Sequence, residues 1–194
     1  MPYLPLILNW FIFGLIHSLT AGSFFKNWFE KRMGASFKYY RLGFNCIAIA
    51  NLIIVLYFHF TAQKIEWVQS TVLLQFIGCL VIAFGLVFLF FVFKSYDLYE
   101  FTGLEVFVKQ TNPQTLLQSG LSKKVRHPMY LALIILLAGI VLYEPSYRSI
   151  ISFSALFIYL QIGIYFEEKK LARTFGQSYL EYKKITPKLF PKLF

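Results

Sequence analysis

Five apolar runs, at residues 4–25, 42–61, 72–93, 129–143 and 150–166, leave this chain few ways to fold. Crossing a hydrocarbon core of ~30 Å takes ~20 helical residues, because in lipid every backbone N–H and C=O must find its partner within the segment. The first three runs meet that length, and the last two are shorter and must lean on neighbours or flanking residues. With 58% hydrophobic and 14% charged residues, a chain of 194 cannot wrap its apolar surface in a polar shell, which excludes a water-soluble domain. The expectation is a single all-α domain over residues 1–194, integral to the membrane, with five transmembrane helices and additional cytoplasmic surface helices.

Charge placement tests that division independently of hydropathy. The connection at 26–41 holds five Lys and Arg residues, the connection at 94–126 holds five, and the tail after Phe166 holds seven, while only Lys64 and Arg148 lie elsewhere. Five crossings therefore put 17 of the 19 basic residues on one face, which the positive-inside rule makes the cytoplasm and which leaves the amino terminus outside. The net charge of +10 then reflects topology and attraction to anionic headgroups. No stacking module or base-reading motif accompanies it, so no nucleic-acid partner is expected. No basic residue precedes the first run, as a cleaved secretory signal would require, so that run reads as a retained helix. Cys46 and Cys79 lie inside the second and third runs without metal-type spacing and read as core residues, and no metal site is expected.

The fourth and fifth runs are joined only by Glu144-Pro145-Ser146-Tyr147-Arg148-Ser149, short enough to force an antiparallel helical hairpin. Its two inner ends carry Arg126-His127-Pro128-Met129-Tyr130 and Phe166-Glu167-Glu168, so a cation, an imidazole, a phenol and two carboxylates converge at the membrane edge. Each run alone has an ordinary reading. Basic residues before a helix that opens on proline are common anchors, and a juxtamembrane Glu-Glu-Lys-Lys run is commonly a solvated face. Their convergence favours an active site. The connection at 94–125 mixes aromatics with charge and suits a surface helix broken near Thr111-Asn112-Pro113, and residues 169–182 suit a further helix ended by Thr186-Pro187. His17, inside the first run, reads equally as a functional group or as a bonded core imidazole. Asp97 and Glu100 read as headgroup-level residues.

Gly120, then Arg126-His127-Pro128-Met129-Tyr130, Phe166-Glu167-Glu168, Leu171, Phe175-Gly176, Tyr179, Tyr182 and Thr186-Pro187 together resemble the carboxy-terminal signature of the isoprenylcysteine carboxyl methyltransferase superfamily of membrane enzymes. The resemblance covers residues 116–191. His17-Ser18-Leu19 with Ala21, Tyr40-Arg41-Leu42, and Tyr96-Asp97-Leu98-Tyr99 ahead of Gly103-Leu104 are similar to the bacterial branch that includes methanethiol S-methyltransferases. Ser122 stands where the family commonly has tyrosine. Gly163 stands near the place of an arginine found in members that methylate protein carboxyls, which points to a small acceptor rather than a prenylated protein.

The resemblance implies S-adenosylmethionine as cofactor and a small or lipid-soluble thiol, or a carboxylate, as methyl acceptor, with membrane lipids as the surroundings. It implies a cofactor site built from Gly120, Val125, His127, Pro128, Tyr130, Glu168 and Tyr179, with Glu168 on the cofactor's ammonium, Arg126 or His127 on its carboxylate, and Tyr130 or Tyr179 against adenine. Glu167 is then the expected catalytic base, with Arg126 lowering the acceptor's pKa. Two other readings stay open: a non-catalytic accessory or assembly protein on the same scaffold, and a small-solute carrier, against which the uncharged run at 72–93 counts.

Overall fold

The computed structural model describes residues 2–107 and 120–191, with nothing described of the Glu100 side chain. The break anticipated at Thr111-Asn112-Pro113 falls outside the described residues. Those residues are helical apart from turns and one isolated bridge between Glu66 and Ser146. Four helical stretches, Leu4–Ala21, Ser23–Thr61, Val72–Phe93 and Tyr147–Phe175, are long and apolar enough to cross a membrane. The chain divides into two compact units, one holding the described residues up to Ile65 and from Asp97 to Phe107, the other Glu66 to Tyr96 and Gly120 to Pro191.

In the first unit, α1 (Leu4–Ala21) opens on Pro5, whose fixed φ and missing N–H suit a first helical turn. It ends at Ala21, four residues earlier than hydropathy suggests, and Phe24 and Phe25 belong instead to α2 (Ser23–Met33). A 3₁₀ turn, Gly34–Tyr39, leads into α3 (Tyr40–Thr61). The Tyr40 hydroxyl donates to the Thr20 carbonyl at 2.5 Å, so the end of α1 and the start of α3 lie at one level. Asn45 on α3 donates through Nδ2 to the carbonyls of Phe101 and Thr102, which seats the short helix α5 (Leu98–Thr102) on α3.

In the second unit, α4 (Val72–Phe93) coincides with the third apolar run and packs along α6 (Pro128–Tyr143). Without a hydrophobic drive between helices in lipid, close packing decides such contacts, and small residues permit it. A Cβ at Gly78 would sit 2.4 Å from the Tyr143 backbone nitrogen, one at Gly85 2.9 Å from Leu136, and one at Gly139 2.8 Å from Ile82. The 16 residues of α6 reach about 24 Å, short of the ~30 Å core, so it leans on α4 and α7.

Only three residues separate α6 from α7 (Tyr147–Phe175), so the expected hairpin forms. Ser146 caps α7, and Arg148 forks onto Glu144 at 2.6 and 2.8 Å, which accounts for the one basic residue of that turn. At the other end α7 runs past the apolar stretch 150–166 through Glu-Glu-Lys-Lys-Leu-Ala-Arg, strong helix formers that hydropathy does not register. It ends at Gly176 (φ +54°, ψ −128°), a conformation side chains disfavour, and α8 (Gln177–Ile185) follows. The expected tail helix at 169–182 is thus two helices with a bend between them. Val125, Leu131, Ile134, Leu160, Ile164 and Leu189 form the unit's buried core.

Candidate functional site

The hairpin brings together the residues it was expected to bring together, all within the second unit. Pro128 opens α6, so Arg126 and His127 sit in the approach to its first turn. Glu167 and Glu168 lie on the adjacent end of α7. Arg126 donates from Nε and Nη2 to one oxygen of Glu168 at 2.9 and 2.6 Å, across 42 residues of sequence. His127 Nε2 lies 3.2 Å from the same oxygen, and Lys183 Nζ is 2.7 Å from the other. Three basic side chains therefore converge on Glu168, which is largely buried.

The tail completes the cluster. Arg126 Nη1 donates to the carbonyls of Lys183 and Thr186, its backbone N–H to Pro187 at 2.9 Å, and the His127 N–H to Lys188 at 3.2 Å. Pro187 prevents α8 from continuing, which leaves these carbonyls pointing outward for Arg126. Lys188 Nζ donates to Gln161 on α7, and the Tyr182 hydroxyl to the Ser122 carbonyl at 2.5 Å. Sequence reasoning missed Lys183 and the tail carbonyls; the only signal for them was the helix stop at Thr186-Pro187.

Glu167 is in a different position. Its side chain is half exposed, yet Oε2 is buried and makes no hydrogen bond among the described residues, with His127 Nδ1 3.6 Å away. The Tyr130 phenol is its hydrogen-bonding neighbour, and the phenols of Tyr96 and Tyr179 are its electrostatic neighbours. Tyr96 was not among the expected site residues. Tyr179 is 1% exposed, and its hydroxyl lies beside the Arg126 guanidinium, whose best-aligned donors go to Glu168 and the tail. Burial, with Glu168 adding to it, pushes the Tyr179 phenol up to about 12, so it is a neutral donor at physiological pH.

His127 is 4% exposed and stacks on Tyr130 at 5.5 Å. Burial pushes its imidazole below the ordinary value, against the pull of Glu167 and Glu168. A neutral imidazole beside the acceptor-only Glu168 carries its proton on Nε2, which leaves the Nδ1 lone pair on the Glu167 side.

The remaining candidates lie as follows. Gly120 (φ +57°) opens a 3₁₀ turn, and a Cβ there would lie 3.2 Å from Ser95 Oγ. Val125 is 2% exposed, packs in the core, and its N–H donates to the Leu121 carbonyl. His17 belongs to the first unit, between the rings of Phe13 and Phe44 at 5.6 and 4.9 Å. Asp97 accepts from the Tyr99 N–H at the start of α5. No group of three or more His, Cys, Asp or Glu residues suited to a metal occurs among the described residues. A family model described as NnrU protein matches residues 5–190, and the chain belongs to that family. No curated protein and no solved structure matches it.

Proposed function

We propose that this NnrU-family chain is a multi-pass membrane methyltransferase that uses S-adenosylmethionine to methylate a small or lipid-soluble thiol, or a carboxylate. The observation that carries this reading is the division of labour between two adjacent acids. Glu168 is bonded to Arg126, His127 and Lys183, whereas Glu167, with the Tyr130 phenol as its hydrogen-bonding neighbour, keeps a buried oxygen, Oε2, with no basic side chain bonded to it. Leaving buried polar atoms unpaired costs about 1–3 kcal/mol each, and more for a charge. A cation is the partner Glu167 lacks, and the ammonium end of the cofactor supplies one. Glu167 thus takes the role that the resemblance gave to Glu168.

When bound, S-adenosylmethionine supplies an electrophilic methyl group on a sulfonium, and its transfer to a thiolate leaves a thioether and an uncharged donor product. The chain's own residues perform the rest. A thiol of pKa ~8.5 is a few per cent ionised at neutral pH, so removal of its proton must be assisted. His127, held neutral by burial and fixed by Glu168, accepts that proton at Nδ1. Arg126 is a positioning residue, since it holds Glu168 and the tail. Tyr130, partly exposed, offers a flat surface for adenine, while Tyr179, 1% exposed, packs beneath the site.

The proposal includes five spans, with the 16-residue α6 as the fourth, the amino terminus outside and the cluster on the cytoplasmic side, as 17 of 19 basic residues favour. A second reading, a non-catalytic accessory or assembly protein, draws on the fact that Arg126, His127 and Glu168 spend their polar atoms on one another and on the tail.

The test is incubation of the purified chain with methyl-labelled S-adenosylmethionine and a panel of small thiols, prenylcysteine analogues and phosphatidylethanolamine. Label is expected in a thioether or methyl ester, at a rate lowered about 100-fold or more in His127→Ala. Donor binding without transfer to any acceptor, or neither binding nor transfer, would contradict the methyltransferase reading and favour the accessory one.

A further inference from the structure

α2 has an unpartnered amphipathic surface. Its aromatic residues Phe24, Phe25, Trp28 and Phe29 recur at helical spacing on one side, and Lys26, Asn27, Glu30 and Lys31 occupy the other. No residue of α2 is buried; Phe24 is 84% and Trp28 43% exposed. Between Gly22 and Arg41 stand five cations, Lys26, Lys31, Arg32, Lys38 and Arg41, against the single anion Glu30. Three of them rest on rings: Arg32 lies 4.4 Å over Trp28, Lys38 5.0 Å over Tyr39, and Lys26 6.0 Å over Phe37.

The depth of this helix follows from its neighbours. α1 and the stretch ending in α3 are both apolar enough to span, and the Tyr40–Thr20 hydrogen bond places their adjacent ends at one level. The connection between those ends is therefore at a membrane edge, too charged to enter the core and too aromatic to stand off in water. Long basic side chains and aromatic rings together favour that interfacial depth.

We infer that α2 and the 3₁₀ turn after it are a docking surface for anionic phospholipids of the surrounding bilayer. The aromatic side enters the boundary between headgroups and acyl chains, and Lys26, Lys31, Arg32 and Lys38 gather headgroup phosphates by charge complementarity. An excess of three positive charges on so short a segment selects anionic over zwitterionic lipid locally.

Trp28 reports on this directly. A full-length chain with Trp10→Phe and Trp67→Phe, leaving Trp28 as sole tryptophan, is reconstituted in mixed phosphatidylglycerol–phosphatidylcholine vesicles with bromine on one lipid or the other. At equal bromine content, quenching by the brominated anionic lipid should exceed that by the zwitterionic one by about twofold at low salt, and the excess should shrink as salt rises. Replacing Lys26, Lys31, Arg32 and Lys38 with Gln should remove the preference while quenching by brominated phosphatidylcholine persists, which shows that the helix still lies in the interface. Equal quenching by both lipids in the unsubstituted chain would overturn the inference. So would emission that neither lipid quenches, as expected if another protein or a second copy covers the helix.

Discussion

Arg126 and Glu168 stand 42 residues apart, and their 2.6 Å contact follows from a property visible without coordinates, a linker too short to do anything but turn back. The division of roles between Glu167 and Glu168 was not visible. Adjacent residues on a helix point about 100° apart, and which of them meets the cation depends on a tail that arrives from beyond Gly176. His127 gives this arrangement a pH signature. In the unfolded chain it titrates near ~6.5, and in the folded chain lower, because burial disfavours its charged form. Between those two values the unfolded state binds more protons, so stability falls as pH drops through about 6.5 and levels out below the folded value. Unfolding in detergent between about pH 7 and pH 5 should therefore show a steeper loss in the native chain than in His127→Gln. Superimposable profiles would mean that the imidazole is not held neutral in the fold.

Hydropathy located α4 residue for residue, since polar Thr71 and Lys94 flank it, but it overran α1 and fell short on α7. The two misses have one origin: a hydropathy window registers neither a backbone break at Gly22 nor the helix propensity of a charged run. It also says nothing of how closely two helices approach. Gly78, Gly85 and Gly139 look interchangeable with other small residues in sequence, yet each abuts the facing helix. Gly78→Ala should destabilise by about 1–3 kcal/mol or more, because its methyl would meet backbone rather than a movable side chain. Gly43→Ala, on α3 with nothing within 4 Å of its Cβ, should be neutral or slightly stabilising. Thermal unfolding of the two variants in one detergent checks the contrast, and similar shifts would contradict the α4–α6 packing.

At the scale of the whole molecule, membrane residence was legible from composition, sidedness is proposed from charge placement, and the cluster was legible only as residues meeting in one place. In a chain with Cys46 and Cys79 replaced by Ser, a cysteine at Gln69 should react with an impermeant thiol reagent from outside intact cells and one at Lys184 should not; the reverse pattern would put the cluster on the wrong face for a cytoplasmic cofactor. The central claim is that Glu167 and His127 form one site for a cationic methyl donor. Calorimetry of S-adenosylmethionine with the chain in nanodiscs tests it most directly: saturable binding is predicted, weakened about tenfold or more, or 1.4 kcal/mol, in Glu167→Gln and in His127→Ala. No binding to the native chain, or equal binding to all three, would contradict it.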